Sequence, residues 1–493
     1  MKLLYKSTRN NTHQVSSKEA IINGISNDGG LYVPNKIPIL DKSFDELTCM
    51  NYKDLAFYIM KKYFTDFDND ELMTCIDSAY DEKFTKLAPL VENKGTYFLE
   101  LYHGQTLAFK DMALSILPHL MKYAYKSLNI DSEIVILTAT SGDTGKAALE
   151  GFKDVDGTKI IVFFPTNGVS EIQKRQMITQ NGKNTYVVGI KGNFDDAQGA
   201  VKKIFTDEMF NKKIQSKNYL FSSANSINIG RLVPQIVYYF HAYLELLRKN
   251  KIQCNEKINV AVPTGNFGNI LACYYAKKMG LPINKLICAS NENNVLTQFF
   301  DEGIYDTNRV FKMTNSPSMD IVVSSNLERL LYNISDENDK FVLEFMDMIK
   351  NKGKYSLDNR LKQRLKDFYA GSANDEATLK SIKDLYEATG YIMDTHTAVA
   401  YNVYNQYIEK TKDNLKTVIV STASPFKFPG SINNALHFCH NNIDDFELIR
   451  KLADFANLKI PESIRMIENQ EILHNKVCRV EEIKNVIETI LKV

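Results

Sequence analysis

The chain has 493 residues, 44% of them apolar and 24% charged, with a formal net charge of +1. These are globular values, which exclude a disordered chain, and the length exceeds one ordinary hydrophobic core, so two or three domains are expected. Sixty Lys and Arg nearly cancel 59 Asp and Glu, which argues against nucleic acid or an anionic membrane as the main partner.

The opening MKLLYKSTRN lacks the apolar core and small-residue cleavage site of a signal peptide. No apolar run approaches the roughly 20 residues of a membrane span. Residues 1–95 mix short apolar runs with acidic helix-like stretches such as FDNDELMTCIDSAYDEKF. In TYFLELYHGQTLAFKDMALSILPHLMKYAYKSL, residues Ala113, Ile116, Leu117, Leu120, Met121, Ala124 and Leu128 fall on one helical face, so a helix is expected to begin near Lys110. From residue 134 the pattern turns to short apolar strands alternating with helices. EIVILTAT, TKIIVFFP, NTYVVGI, INVAVPTG, KLICAS and TVIVSTAS read as strands. TGKAALEGF, SEIQKRQMITQ, FDDAQGAVKKIF and NILACYYAKKMG read as helices between them. This order predicts an α/β fold with mostly parallel sheets covered by helices, whose ligands sit at the C-terminal ends of the strands. Residues 325–390 are more polar and read as a helical insertion or layer.

The seven cysteines, at 49, 75, 254, 273, 288, 439 and 478, are odd in number and widely spaced. That suits reduced thiols in a cytoplasmic protein better than a disulfide framework. A metal reading fails, because His437-Phe438-Cys439-His440 has no second ligand pair at zinc spacing.

Four segments carry chemistry. TATSGDTGKAA, residues 138–148, places a hydroxyl-rich turn at a helix N-terminus. It fails the Walker A pattern, since Thr140 and Ala147 stand where Gly and Ser or Thr are needed. It is either an anion receptor or a plain helix cap. Gly265-Asn266-Phe267-Gly268-Asn269 follows a strand and leads into a helix, so it is either a nest for a phosphate monoester or a tight turn. Lys110, between Phe109 and an apolar helix, is either a desolvated nucleophile or a surface lysine. Thr422 lies at a strand end in VIVSTASPFKFPG, where its hydroxyl reaches a ligand or serves only β propensity.

Taken together these segments fit pyridoxal 5'-phosphate. HGQTLAFKD, TATSGDTGKAA, SEIQKRQM, NSINIGRLVPQIVYYF, VPTGNFGN, SPSMDIVVSSNLERLL, DTHTAVA and STASPFKFP resemble the threonine synthase family in order and approximate spacing, from about residue 4 to about 440. The resemblance is to the longer form, with an N-terminal extension. It implies two open sheets with the cofactor between them, and the following division: an N-terminal extension over 1–95, an α/β domain with the lysine over 96–235, a second with the GNFGN loop over 236–440, and a helical tail over 441–493.

Carried over position by position, the resemblance makes Lys110 the lysine that bonds the cofactor and Gly265 to Asn269 the loop for its phosphate. Asp143 matches the position reaching the ring hydroxyl, and Thr422 the hydroxyl facing the ring nitrogen. Thr140 and Ser141 match the loop for the substrate carboxylate, while Thr144, Ser226 and Arg231 match the grip on its phosphate. Gln105, Thr395, Ser424 and Phe426 depart from residues common in the family, which bears on the pocket rim.

The implied activity is conversion of O-phospho-L-homoserine and water to L-threonine and phosphate, by γ-elimination and β-hydration. The alternatives are a phospholyase giving 2-oxobutyrate and a non-catalytic binding protein that retains the fold. The implied partner is a small-molecule substrate, with no nucleic acid and no membrane, in a monomer or homodimer.

Overall fold

A computed structural model of the chain describes residues 2–140, 142–166, 169–192, 194–205, 207–440 and 443–493. The long apolar runs form the strands they predict. Glu133–Ala139, Thr158–Pro165 and Thr185–Lys191 lie side by side in a five-stranded parallel sheet, with Tyr219–Ser222 at one edge and Val477–Arg479 at the other. A six-stranded sheet runs in the order Phe368–Ser372, Ile283–Ser290, Ile258–Pro263, Thr417–Ser421, Thr96–Glu100, Leu90–Asn93. All its neighbours are parallel except the last pair. The central strands of both sheets are buried along nearly their whole length, as strands covered by helices on both faces must be.

Thr96–Glu100 pairs with Thr417–Ser421 in the six-stranded sheet. Two expectations are corrected. The 325–390 segment is not purely helical, because it supplies the edge strand Phe368–Ser372 and a two-stranded ribbon partner, Lys354–Ser356. The expected helical tail includes the strand Val477–Arg479 as well as the helix Ile483–Leu491. Each strand is only three to five residues long, too short for alternation to outweigh its polar neighbours.

The helix expected to start near Lys110 does so, but in two pieces, Asp111–Leu114 and Leu117–Ser127. Pro118 causes the interruption. It stands in the first turn of the second piece, where its missing N–H costs nothing, and it would break a continuous helix.

The N-terminal segment folds around a small antiparallel sheet, Gln14–Val15, Tyr5–Ser7 and Tyr32–Pro34. Ser16 and Ser43 cap its first two helices through reciprocal capping boxes. Its apolar residues, among them Tyr5, Ile21, Leu55 and Ile59, join one core with Ile229, Leu232 and Ile236 of the long helix Ile229–Arg248. The extension is therefore packed into the body of the protein.

Candidate active site

Several C-terminal strand ends converge on one cavity of about 380 Å³, a size suited to a cofactor with substrate. Thr140 and Asp143 enter from Glu133–Ala139, Gly265 to Asn269 from Ile258–Pro263, and Thr422 from Thr417–Ser421. Lys110 enters by a different device. Leu107 adopts φ +59°, and the segment after it is stitched to the last strand. Phe109 N–H donates to the Thr422 carbonyl at 2.8 Å and Ser424 N–H to the Leu107 carbonyl at 3.1 Å. The lysine is thereby fixed to the six-stranded sheet while its side chain faces the loop of the five-stranded one.

The Lys110 amine lies 3.2 Å from Asp143 Oδ2 and 3.3 Å from Ser318 Oγ. The Phe109 ring centroid is 5.0 Å away. Burial lowers the lysine's proton affinity; Asp143 opposes this, while Lys427 and Arg231 add to it. An amine so placed is a competent nucleophile and base.

Asp143 is the electrostatic centre. Burial alone raises a carboxyl, but Lys427 and Lys110 outweigh it and hold Asp143 well below the usual range. Lys427 Nζ reaches Asp143 Oδ1 at 2.5 Å, and Gln173 Nε2 donates to the same oxygen at 2.9 Å. Gly142 before it has φ +140°, and a Cβ there would meet the Gln173 carboxamide at 2.6 Å, so only glycine fits. The Thr140 hydroxyl accepts from Gly142 N–H at 3.0 Å and Gly145 N–H at 2.9 Å. It shapes the turn as a cap while its own proton stays available as a donor.

The GNFGN loop has the features of a phosphate cradle. Phe267 sits in the left-handed region at φ +64° and precedes the helix Gly268–Met279 with no side-chain cap. First-turn N–H groups thus open toward the cavity with the positive end of the helix dipole. Asn269 Oδ1 accepts from Tyr238 at 2.7 Å and from Tyr239, while its Nδ2 is buried without a partner. A Cβ on Gly265 would lie 2.7 Å from the Ser318 carbonyl.

Arg231 donates from Nη1 to the Ala224 carbonyl at 3.0 Å, while its Nε is buried and unpartnered. Burial pulls the guanidinium down to about 10. A buried cation without a carboxylate partner is costly, and an anionic ligand in the cavity relieves that cost. Thr144 and Ser226 line the same wall.

The structure thus brings Lys110, Thr140, Asp143, Thr144, Ser226, Arg231, Gly265 to Asn269 and Thr422 to one cavity. Ser141 lies outside the described residues. Of the departures from the family, Ser424 turns its hydroxyl back to cap Phe426 N–H at 3.4 Å, and the cavity wall is formed by Thr422 and Ala423. Gln105 is exposed, and Thr395 opens the helix Thr395–Thr411 with its hydroxyl buried and unpartnered.

Sequence reasoning missed Lys427, Gln173, Ser318 and His396, although all four lie within strings it singled out. His396 Nε2 accepts from Ser318 N–H at 3.1 Å, and its Nδ1 is 2.7 Å from Asp394. The ring is therefore held as the tautomer protonated at Nδ1. Among the described residues no group of His, Cys, Asp and Glu suits a metal ion, and no helix is long and apolar enough to cross a membrane.

A cavity that pairs a buried amine with a phosphate cradle defines a class. The family model described as pyridoxal-phosphate dependent enzyme matches residues 82–423. Models of the threonine synthase N terminus and of the threonine synthase C-terminal region match residues 4–80 and 397–485. The chain belongs to the threonine synthase family of pyridoxal-phosphate dependent enzymes. It is 38% identical over 491 residues to human Threonine synthase-like 1, covering 94% of this chain and 64% of that protein. The chain thus spans less than two thirds of the Threonine synthase-like 1 proteins it matches. Threonine synthase of Saccharomyces cerevisiae is 35% identical over 502 residues, covering 95% of this chain and 96% of that one. A crystal structure of pyridoxal phosphate-bound threonine synthase from Brucella melitensis superposes with a TM-score of 0.87 at 32% identity, covering 100% of this chain and 99% of that chain.

The described residues fit that cofactor. Lys110 offers an amine to an aldehyde, the GNFGN turn offers donors to a phosphate, and Asn269 Nδ2 is a buried donor still to be satisfied.

Proposed function

We propose that the protein converts O-phospho-L-homoserine and water to L-threonine and phosphate, in the cytoplasm, using pyridoxal 5'-phosphate. The observation that carries this reading is the coexistence of two candidate anion sites in one cavity with the Lys110 amine, the GNFGN turn and Arg231, whose Nε is buried without a partner. One anion site serves the cofactor and the other a phosphorylated substrate. Among the described residues no disulfide joins the cysteines, which supports the cytoplasmic setting.

Gly265 to Asn269 would hold the cofactor phosphate, and Thr422 and Asp143 would hold its ring. When bound, the cofactor supplies a conjugated system that takes up the negative charge developed at the substrate's α-carbon. Lys110 would hold the cofactor through its amine and, as a free base facing the cavity, would carry protons to and from the reacting carbons. Arg231 supplies forked donors to the departing phosphate, with the Ser226 and Thr144 hydroxyls as neutral donors. Thr140 gives its hydroxyl proton to the substrate carboxylate. A neutral Thr422 hydroxyl does not enforce protonation of the ring as a carboxylate would, which favours elimination over prolonged carbanion chemistry.

The test is product analysis of the purified protein with O-phospho-L-homoserine. Threonine and phosphate in equal amounts support the reading. Accumulation of 2-oxobutyrate with no threonine overturns it.

A further inference from the structure

Two ammonium groups share one buried carboxylate in this site. Lys427 is completely buried, with Nζ 2.5 Å from Asp143 Oδ1 and 2.9 Å from the Thr106 carbonyl. Lys110 takes the other oxygen of Asp143 at the longer distance of 3.2 Å, and its second partner is the Ser318 hydroxyl at 3.3 Å. The two lysines are chemically unequal. Both partners of Lys427 are pure acceptors, and each takes a proton from its amine. The Ser318 hydroxyl either donates or accepts, and it also lies 3.2 Å from Asp143 Oδ2, so a neutral amine at Lys110 leaves no proton without an acceptor. Burial of one excess positive charge costs free energy, and the proton on Lys110 is the one whose loss relieves it. Only Lys110 of the two lines the cavity.

We propose that Lys427 is a positioning residue for Lys110: it anchors Asp143 and draws on that carboxylate's charge, so that the amine facing the cavity is the one released as free base. The inference rests on the proposed function only in giving Lys110 a chemical role. Asp143 and Lys427 are the charged groups that act most strongly on the Lys110 amine. Arg231 comes from the helix Ile229–Arg248 and reinforces Lys427. His396 acts on the Ser318 backbone as a neutral acceptor. Asp320 on the cavity wall is occupied by Asn291, Asn293 and Thr314. Gln173, on the far side of Asp143, is uncharged and holds the carboxylate in register.

The test uses the full chain freed of cofactor, acylated with acetic anhydride across a pH series, with modification of each lysine read by mass spectrometry. In the wild type, Lys110 reacts with a midpoint below the ordinary lysine range. Lys427→Met removes the competing charge and raises the Lys110 midpoint by about one pH unit, roughly a tenfold loss of free amine at neutral pH. Lys427→Arg keeps the charge and holds the midpoint near that of the wild type. A folded Lys427→Met protein with an unmoved Lys110 midpoint overturns the proposal. So does a wild-type protein in which the Lys110 midpoint lies in the ordinary lysine range, a measurement that decides the matter even if the Met variant does not fold. A protein that shows the shift yet makes no threonine overturns the proposed function and leaves this inference standing.

Discussion

Arg329 Nε donates to the Tyr32 carbonyl at 3.0 Å, joining the N-terminal extension to the heart of the protein. The same guanidinium donates to the Ile227 carbonyl at 2.6 Å and to Asn326 Oδ1. Asn326 Nδ2 in turn donates to the Asn266 carbonyl at 3.0 Å and the Ser226 carbonyl at 3.2 Å. One buried side chain therefore ties the extension to the GNFGN turn and to the segment carrying Ser226. Arg329→Met leaves three acceptors without a donor and is expected to cost about 3 kcal/mol of stability by urea denaturation, with weaker cofactor retention. Arg329→Lys restores the charge but not the fork, and is expected to recover only part of both losses. Wild-type cofactor retention in both variants would contradict this coupling.

Under the proposed function, Arg231→Ala is expected to lower kcat/KM for O-phospho-L-homoserine by about 100-fold, or roughly 3 kcal/mol. The same change removes a buried cation that lacks a carboxylate partner. The ligand-free variant is therefore expected to be more stable than the wild type, by about 1 kcal/mol. Thermal melts and steady-state kinetics on the same preparations check both signs.

Gly265→Ala places a methyl group 2.7 Å from the Ser318 carbonyl. Backbone must move, and either the phosphate turn or the segment carrying Ser318 is displaced. The expected result is about tenfold weaker binding of pyridoxal 5'-phosphate, measured by absorbance titration, in a protein that still folds. Unaltered affinity would show that the turn tolerates the displacement.

The protein is expected to lose stability on acidification between about pH 6.5 and pH 4. His119 is pushed down to about 4, first by burial and then by Lys83 and Lys122. His241 is lowered to about 4, chiefly by burial, and its ring meets the Tyr52 ring edge-on at 5.2 Å. With the folded value below the unfolded one, the unfolded chain binds the extra proton in this window, so stability rises with pH across it. The full effect at His119 is roughly 3 kcal/mol. The gap between urea midpoints measured at the two ends of the window should shrink by about half in His119→Gln, His241 keeping its share. An unchanged pH dependence in that variant would assign the acid loss to other groups.

The fold was legible where burial wrote it into composition. IIVFF is apolar along its length, and VAV after Asn259 likewise, because both faces of their strands are covered, and their shortness and β-branched content favour strand over buried helix. Val477–Arg479 was not legible, since an edge strand with alternating exposed and buried residues reads like any amphipathic stretch. In the site, glycine spacing and the apolar setting of Lys110 were visible, but each admitted a bland alternative that only the convergence on one cavity removes. Lys427 was hidden for a plainer reason. A lysine is solvated by default, and what buries this one is a carboxylate far away in sequence. Ser318 and His396 act through contacts between segments remote from each other, which no local pattern encodes.

Phe267 holds its left-handed backbone with its ring packed against Phe300 and Phe368, at centroid separations of 5.9 and 6.0 Å. The hydrophobic interior thus sets the shape of the receiving turn before any ligand arrives. Little ordering entropy remains to be lost at the moment of capture. A flexible residue there would ease the local torsion yet make the empty turn wander, trading a ready receptor for one that must be assembled at each encounter.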